Sequence, residues 1–162
     1  MPSAPYSAST IAKWFLAWAS FEDEGALSNL KLQKLLYYAK GHYMATHDGR
    51  PLFSDTMQAW SHGPVVPNVY HEYKSNGSYA IDADDLDFSF SEVDADTAEQ
   101  LESVWETFGA KSAWKLREMT HQESPWIESF RDGERNVEIT DESLMKHFAK
   151  LYVRRPARHS KP

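Results

Sequence analysis

The sequence predicts a mainly α-helical fold, a single compact domain of about six to seven helices with a small antiparallel β-sheet. Its 162 residues have the length of one domain. Apolar side chains make up 41% of the chain and aromatic ones 14%, which is enough to build a core without a disulfide or a metal. Most apolar residues recur at the three- and four-residue spacing of an amphipathic helix, and only short stretches alternate as strands do.

The first predicted helix begins near Ser7 or Ser9 and ends before Gly25. Serine is a common N-cap because its side-chain oxygen accepts a hydrogen bond from a free N–H group of the first turn. The apolar residues of this segment follow the i, i+3, i+4, i+7 pattern of one buried stripe. They are Ile11, Trp14, Phe15 and Trp18.

The second predicted helix begins at Ser28 or Asn29 and continues to about His47. It is the longest, and we expect it to lie at the centre of the domain. Its apolar face carries Leu32, Leu35, Leu36, Ala39 and Tyr43. Because charged side chains are rarely buried, we expect its lysines to face outward. These are Lys31, Lys34 and Lys40.

The middle of the chain is predicted to form short secondary-structure elements. A strand lies within residues 56–61, and the segment from Trp60 to Pro67 is a rigid loop, because each residue before a proline avoids the helical region. Pro67 is placed to begin a helix that ends at Asn76-Gly77. The alternation of residues 88–90 predicts a short exposed strand or hairpin.

Four further helices are predicted in the C-terminal half. The first opens at Asp96, which with Glu99 resembles a capping box. The second follows the cap Ser112, the third starts at Ser124-Pro125, and the last follows the cap Thr140. A last short strand is predicted at residues 137–139. In the final helix, Ile139 and Leu144 are spaced as a hydrophobic staple. Its expected buried face consists of Leu144, Phe148, Leu151 and Tyr152.

The composition excludes several kinds of site. Without cysteine the chain has no thiol nucleophile, no redox pair and no Cys-ligated zinc or iron–sulfur centre. The helix that carries His71 and Glu72 lacks the second histidine of a zinc protease, because position 75 is Ser75. Neither a phosphate-binding glycine loop nor a nucleophile elbow is present. We therefore expect no catalytic residue, metal or cofactor. A hydrolase or metal-dependent enzyme with a dispersed active site is the alternative, since such a site leaves no local motif.

The chain is expected to be cytoplasmic. Its N-terminus carries no basic, apolar signal sequence, and no apolar run reaches the ~18 residues that a membrane helix needs. A chain without disulfides is typical of a reducing compartment. We therefore predict no membrane partner.

Charge is distributed unevenly along the sequence. The formal net charge is −7, yet residues 75–110 contain ten acidic side chains and no lysine or arginine. The only basic cluster lies in the tail, residues 154–162, which we predict to be disordered. The alternative is that this tail contacts nucleic acid. We favour the disordered tail and therefore expect no nucleic-acid partner.

Three further segments stand out by their sequence. Residues 30–41 read LKLQKLLYYAKG, residues 59–67 read AWSHGPVVP and lead into VYHEYK at residues 69–74, and residues 112–126 contain SAWKL, TH and PW. Together they resemble the Panacea domain, formerly a domain of unknown function found in phage-associated proteins. The order of the three segments and the spacing between them both match the family, over roughly residues 7–153. We accordingly assign residues 1–153 to one Panacea-like domain and residues 154–162 to a basic tail.

The resemblance implies the antitoxin half of a bacterial or phage toxin–antitoxin pair. Members of this family are mostly helical and neutralise toxins of unrelated kinds by direct binding. At least one kind of member is a proteolytic adaptor that also delivers its toxin to an ATP-dependent protease. The implied partner is therefore a cognate toxin, with a protease as an open second partner. The family has no accepted catalytic residues.

Two groups of residues are candidates for contact with a partner. The first lies at or near the loop, where two prolines and a glycine fix the backbone and so lower the ordering cost of binding. Its members are Trp60, His62, Gly63, Pro64 and Trp126. The second group would complement a basic toxin surface. Its members are Asp82, Asp84, Asp85 and Asp87. The alternatives are that the prolines only set the entry of the next helix and that the carboxylates only maintain solubility.

Overall fold

The computed structural model describes residues 2–22, 26–134 and 136–152 of the chain. This part forms seven α-helices and one two-stranded antiparallel sheet, which confirms the predicted fold class. The basic tail lies outside the described residues. The helices are α1 (Ala8–Ala19), α2 (Asn29–Thr46), α3 (Pro67–Tyr73), α4 (Ala95–Phe108), α5 (Ala113–Thr120), α6 (Ser124–Ser129) and α7 (Asp141–Ala149), and the strands are β1 (Gln58–Trp60) and β2 (Gly63–Val65). None of the described helices has the length and apolarity to cross a membrane.

Short polar side chains begin four of the helices as predicted. Each accepts a hydrogen bond of 3.0 to 3.2 Å from a backbone N–H in the first turn of its helix. These caps are Ser7 for α1, Ser28 for α2, Ser112 for α5 and Thr140 for α7. In α4 the cap is Asp94 rather than Asp96, and its carboxylate accepts from Thr97 N.

Helix α2 is central because five other helices pack against it. The prediction that its lysines face outward is wrong, since Lys34 and Lys40 are 0% and 3% exposed. Lys31 is partly buried and donates to the carbonyl of Gly109, and Lys40 forms an ion pair with Asp141 at 2.9 Å. A helix contacted on every side has no solvent face, so each lysine must find its acceptor within the protein.

Helix α7 crosses α2 at Gly41, where the ring of Phe148 occupies the space of a side chain. A Cβ at Gly41 would lie 2.2 Å from that ring, so only glycine allows this approach. Both residues of the predicted staple, Ile139 and Leu144, are buried. Leu151, 59% exposed, and Tyr152, 46% exposed, do not belong to the predicted buried face, because α7 ends at Ala149 and a 3-10 turn follows.

The predicted loop at residues 60–67 is in fact a β-hairpin. Strand β1 pairs with β2 so that Gln58 lies opposite Val65 and Trp60 opposite Gly63, with Ser61 and His62 in the turn. The residue before a proline avoids the helical region, which correctly excluded a helix here. It did not exclude a strand, because proline is tolerated in an edge strand, where its missing N–H group is not needed. On the other edge of β1, residues 137–139 form a bridge at Glu138 in place of the predicted strand.

The strand or hairpin predicted at residues 88–90 is absent from the described structure. This segment leads into a 3-10 turn at Phe90–Glu92. The ring of Phe90 lies edge-on to Trp14 and Trp18 of α1, at centroid distances of 6.2 and 6.0 Å. Phe90 therefore packs onto helix α1, and no described strand pairs with residues 88–90.

Candidate functional site

A groove of about 560 Å³ runs beside the turn of the β-hairpin. It is bounded by the start of α2, the end of α3 and residues 130–134. Apolar surface dominates the lining, with charged groups at the rim. Its main contributors are Trp60, His62, Val65, Tyr70, Phe130 and Asp132. We call this feature the hairpin groove.

Two of the predicted tryptophans meet beneath the hairpin groove. Trp126 Nε1 donates a hydrogen bond of 2.7 Å to the carbonyl of Trp60. The Trp126 ring is stacked on His121 and on Phe130, with centroid distances of 3.9 and 4.7 Å. The Trp60 ring packs edge-on against Tyr70 at 4.9 Å. Trp60 thus forms part of the groove wall, while Trp126 supports the strand from below.

His62 lies exposed at the tip of the turn. Its Nδ1 accepts a hydrogen bond of 3.1 Å from Arg117 Nε on α5. The Arg117 guanidinium in turn lies 4.3 Å from the centre of the Trp114 ring, a cation–π contact. These contacts connect the turn to α5, so that the imidazole is held at the groove rim.

Buried polar side chains of α2 hold the hairpin and the following helix from inside. Gln33 Oε1 accepts a hydrogen bond of 2.8 Å from Val66 N, and Gln33 Nε2 donates to Asn29 Oδ1 at 2.8 Å. Asn29 Nδ2 then donates to the carbonyl of Tyr70 at 3.0 Å. Because an unsatisfied buried amide costs about 1–3 kcal/mol, each bond restrains the backbone it reaches.

Lys34 completes this arrangement below the second strand. Its Nζ donates a hydrogen bond of 3.0 Å to the carbonyl of Pro64. Burial, and to a lesser extent the charge of Arg117, lowers the pKa of Lys34 to about 7. Gly63 has φ 111°, and a Cβ there would lie 2.7 Å from Lys34 Cε and 2.9 Å from Thr120 Oγ1. The lysine therefore fills the space under the turn. We call Asn29, Gln33 and Lys34 the α2 clamp.

The sequence reasoning did not single out the clamp as functional. A signal for it was present, because α2 carries apolar residues on more than one face while polar ones stand among them. In a helix that is buried all round, a polar side chain is a candidate for a buried hydrogen bond rather than for solvent exposure.

The second group of candidates lies elsewhere. Asp82, Asp84, Asp85 and Asp87 are exposed and do not line the hairpin groove. Their segment is anchored by Ile81, which is buried and donates its N–H to the carbonyl of Leu27 at 2.8 Å. Asp82 Oδ1 accepts from the backbone N–H of Asp84 at 2.9 Å. The structure therefore brings Trp60, His62, Gly63, Pro64 and Trp126 together and keeps the carboxylates on a separate surface.

The hairpin groove combines apolar surface with polar groups. Its rings and aliphatic side chains suit an apolar segment, and the rim offers charged and polar groups for orientation. Among the described residues, no three histidine, aspartate or glutamate side chains come together as metal ligands.

Comparisons with known proteins agree with the resemblance. A profile described as "Antitoxin SocA-like, Panacea domain" matches residues 32–127, a range that includes Gln33, Lys34 and the whole hairpin. Antitoxin SocA of Caulobacter vibrioides (strain NA1000 / CB15N) is 39% identical over 110 residues. That alignment covers 62% of this chain and 58% of the relative, so the match spans less than two thirds of the relative's length. No solved structure matches the chain.

Proposed function

The chain belongs to the family of SocA-like antitoxins with a Panacea domain, and on that premise we propose that it neutralises a toxin protein by direct binding at the hairpin groove. In this proposal the chain performs no chemistry. It acts in the cytoplasm, beside its toxin, as one domain of residues 1–153 with a basic tail.

The observation that carries the proposal is the α2 clamp. Three buried polar side chains hold the backbone at Pro64, Val66 and Tyr70 without a partner present. A surface that is already ordered loses less conformational entropy on binding, so more of the contact energy appears as affinity. Ordinary helix packing would not require polar side chains at these positions, because apolar ones could fill the same space.

The groove also offers the residue types that dominate protein interfaces. Trp60 and Tyr70 present large rings to the groove, and His62 presents a polar group beside them. Aromatic side chains in a partly enclosed pocket are common binding hot spots. We propose that an apolar segment of the toxin occupies the groove, with Trp60 as its main contact.

Asp82, Asp84, Asp85 and Asp87 have a different part in this proposal. Toxins that act on RNA or nucleotides need positive charge at their substrate sites, and exposed carboxylates would attract such a surface. Exposed charges mainly accelerate encounter and add little affinity. Delivery of the captured toxin to an ATP-dependent protease is a further step that the family resemblance suggests, and neutralisation by binding does not depend on it.

Growth of a bacterial host tests whether this chain is an antitoxin. The protein encoded by the neighbouring gene is expressed alone and then together with this chain. We expect the neighbour to stop growth and the chain to restore it. A harmless neighbour, or toxicity that the chain does not relieve, contradicts the proposal.

Two aromatic variants test the site within the same assay. Trp60→Ala removes a wall of the groove, whereas Phe21→Ala removes a ring that is 76% exposed and does not line it. We expect Trp60→Ala to weaken toxin affinity by about tenfold or more and Phe21→Ala to change it little. His62→Ala, at an exposed position, gives a second test should Trp60→Ala fold poorly. Equal affinity losses at positions 60 and 21, or losses that only follow melting temperature, contradict the site assignment.

A further inference from the structure

A second pocket, of about 290 Å³, lies away from the hairpin groove. It opens between α2, α4, α7 and the 3-10 turn that follows α7. Aromatic rings form part of its walls beside aliphatic and polar side chains, and one carboxylate reaches it. The principal lining residues are Tyr38, His42, Phe108, Glu123, Phe148 and Tyr152. We call it the Glu123 pocket.

Glu123 is oriented into the protein rather than toward solvent. It stands at the N-cap of α6, yet its side chain does not cap that helix. Instead Oε1 accepts a hydrogen bond of 2.8 Å from the Tyr37 hydroxyl, and Oε2 accepts one of 2.9 Å from the Tyr38 hydroxyl. Burial raises the pKa of Glu123, and the two tyrosine bonds oppose that rise. The carboxylate is thus placed and hydrogen-bonded, with both oxygens engaged by neutral donors.

Among residues 2–22, 26–134 and 136–152, no lysine or arginine forms an ion pair with this carboxylate. Among the described residues, the ion-pair contact of Glu123 is with His147, whose Nε2 lies 3.9 Å from Oε1. Burial, and to a lesser extent the neighbouring Lys150, lowers the pKa of His147, which disfavours the charged imidazole. Burial, with a smaller contribution from His147, lowers the pKa of His42 to about 4. The Glu123 side chain is 19% exposed, and its partial burial disfavours the charged form. A cation that entered the pocket would favour the charged form.

The pocket walls suit an organic cation. The rings of Tyr38, Phe108, Phe148 and Tyr152 all line the pocket. Tyr38 and Phe108 are stacked on each other at a centroid distance of 4.0 Å, which covers one face of each ring and leaves the other. Tyr152 closes one side through a hydrogen bond of 2.5 Å between its hydroxyl and His42 Nδ1. Aromatic faces attract ammonium groups, and the attraction grows when water is excluded.

We propose that the Glu123 pocket binds a primary alkylammonium group, with Glu123 as its counter-ion and aromatic rings as its walls. The pocket is smaller than a typical site for a drug-sized ligand, which fits a group of this size. The ammonium group belongs either to a small free amine or to a lysine side chain of a protein partner. This site is separate from toxin binding at the hairpin groove, so either proposal can fail without the other.

Titration of the isolated protein with n-butylammonium chloride tests the chemistry. Butan-1-ol serves as the neutral ligand of the same length, and sodium chloride matches the ionic strength. We expect a saturable rise in melting temperature with butylammonium only, since a ligand that binds the folded state stabilises it. An equal response to butan-1-ol, or no saturable response, overturns the proposal.

Variants assign the response to the pocket. Glu123→Gln removes the charge and is expected to weaken butylammonium binding by about tenfold or more. Ser103→Met fills the rim from an exposed position on α4 while Glu123 and both tyrosines stay in place, so it tests the pocket even if Glu123→Gln folds poorly. Ser54→Met, exposed and outside both pockets, is its control. Full binding by Ser103→Met overturns the proposal.

A blocked lysine, Nα-acetyl-lysine N-methylamide, distinguishes the two sources of the ammonium group. Binding of this compound with the same dependence on Glu123 supports a partner's lysine side chain. Binding of butylammonium alone supports a small free amine. Loss of toxin neutralisation has no bearing on these measurements, because no toxin is present in them.

Discussion

The hairpin groove and the acidic segment at residues 82–87 present two different ways of preparing a surface for a partner. The groove is held by three buried side chains, each hydrogen-bonded within the protein. The acidic segment is exposed and is anchored beside Ile81. The hairpin groove therefore has a backbone fixed by buried hydrogen bonds, whereas the acidic segment presents exposed negative charge.

This difference predicts effects of different size and kind. Buried hydrogen bonds contribute about 0.5–1.5 kcal/mol each, and breaking one partner costs more. Exposed charges contribute ~0.2–1 kcal/mol each and act mainly on the association rate. Changes at the clamp should therefore alter folding and affinity together, whereas changes in the acidic segment should alter kinetics alone.

The largest effect is expected from Gly63→Ala. The new Cβ would clash with Lys34 and Thr120, and the residue would keep φ 111°, so we expect a loss of about 2–5 kcal/mol in the free energy of unfolding. Gly49→Ala is the matched control, because Gly49 also has positive φ but no atom within 4 Å of its Cβ position. Its expected loss is about 1–2 kcal/mol. Urea unfolding of both variants measures the difference, and equal losses would show that the space under the turn is not closely filled.

A smaller effect is expected in the pH dependence of stability. The folded-state pKa of Lys34 is lowered from 10.5 to about 7, mainly by burial. Between those values the unfolded chain holds a proton that the folded one lacks, so stability should rise with pH, by up to ~1.4 kcal/mol per pH unit. In Lys34→Met this contribution disappears. Unfolding free energies from about pH 7 to about pH 9, below the range in which the tyrosines titrate, test it. Parallel curves for the two proteins would contradict a neutral buried lysine.

The smallest effect is expected from Asp82, Asp84, Asp85 and Asp87 changed together to Asn. Toxin association should slow by a few-fold at low salt, roughly as expected for lost electrostatic steering, with dissociation nearly unchanged. Stability should change little, because Asn can keep the hydrogen bond from the Asp84 N–H to position 82. A control removes four exposed carboxylates outside the segment, with Asp48→Asn, Glu118→Gln, Glu138→Gln and Glu142→Gln. Association rates that do not differ between the two quadruple variants would leave solubility as the role of the segment.

Much of the fold was predictable because its signals are local. Ser7, Ser28, Ser112 and Thr140 each satisfy backbone N–H groups within three residues, so their position along the chain was sufficient to place the helix starts. The staple of Ile139 and Leu144 is local in the same sense. The residues of the groove were also proposed in part, because a loop with two prolines and a tryptophan is unusual in itself.

What could not be predicted depends on contacts between distant segments. The hydrogen bond that Lys34 donates to the carbonyl of Pro64 spans 30 residues, and the one that Gln33 accepts from Val66 N spans 33. Glu123 meets Tyr37 across 86 residues. Nothing near Lys34 in the sequence indicates that α2 is enclosed on all sides. The prediction that Lys34 faces outward was based on the usual exposure of lysine and is wrong for that reason.

Hydrogen–deuterium exchange of the chain with and without its toxin tests most directly whether the hairpin groove is the binding site. The backbone amides of residues 60–63 and 130–134, which border the groove, are compared with those of residues 82–87. We expect slower exchange on binding at the groove and little change in the acidic segment. Protection confined to residues 82–87, with the groove exchanging as in the free protein, would contradict this expectation.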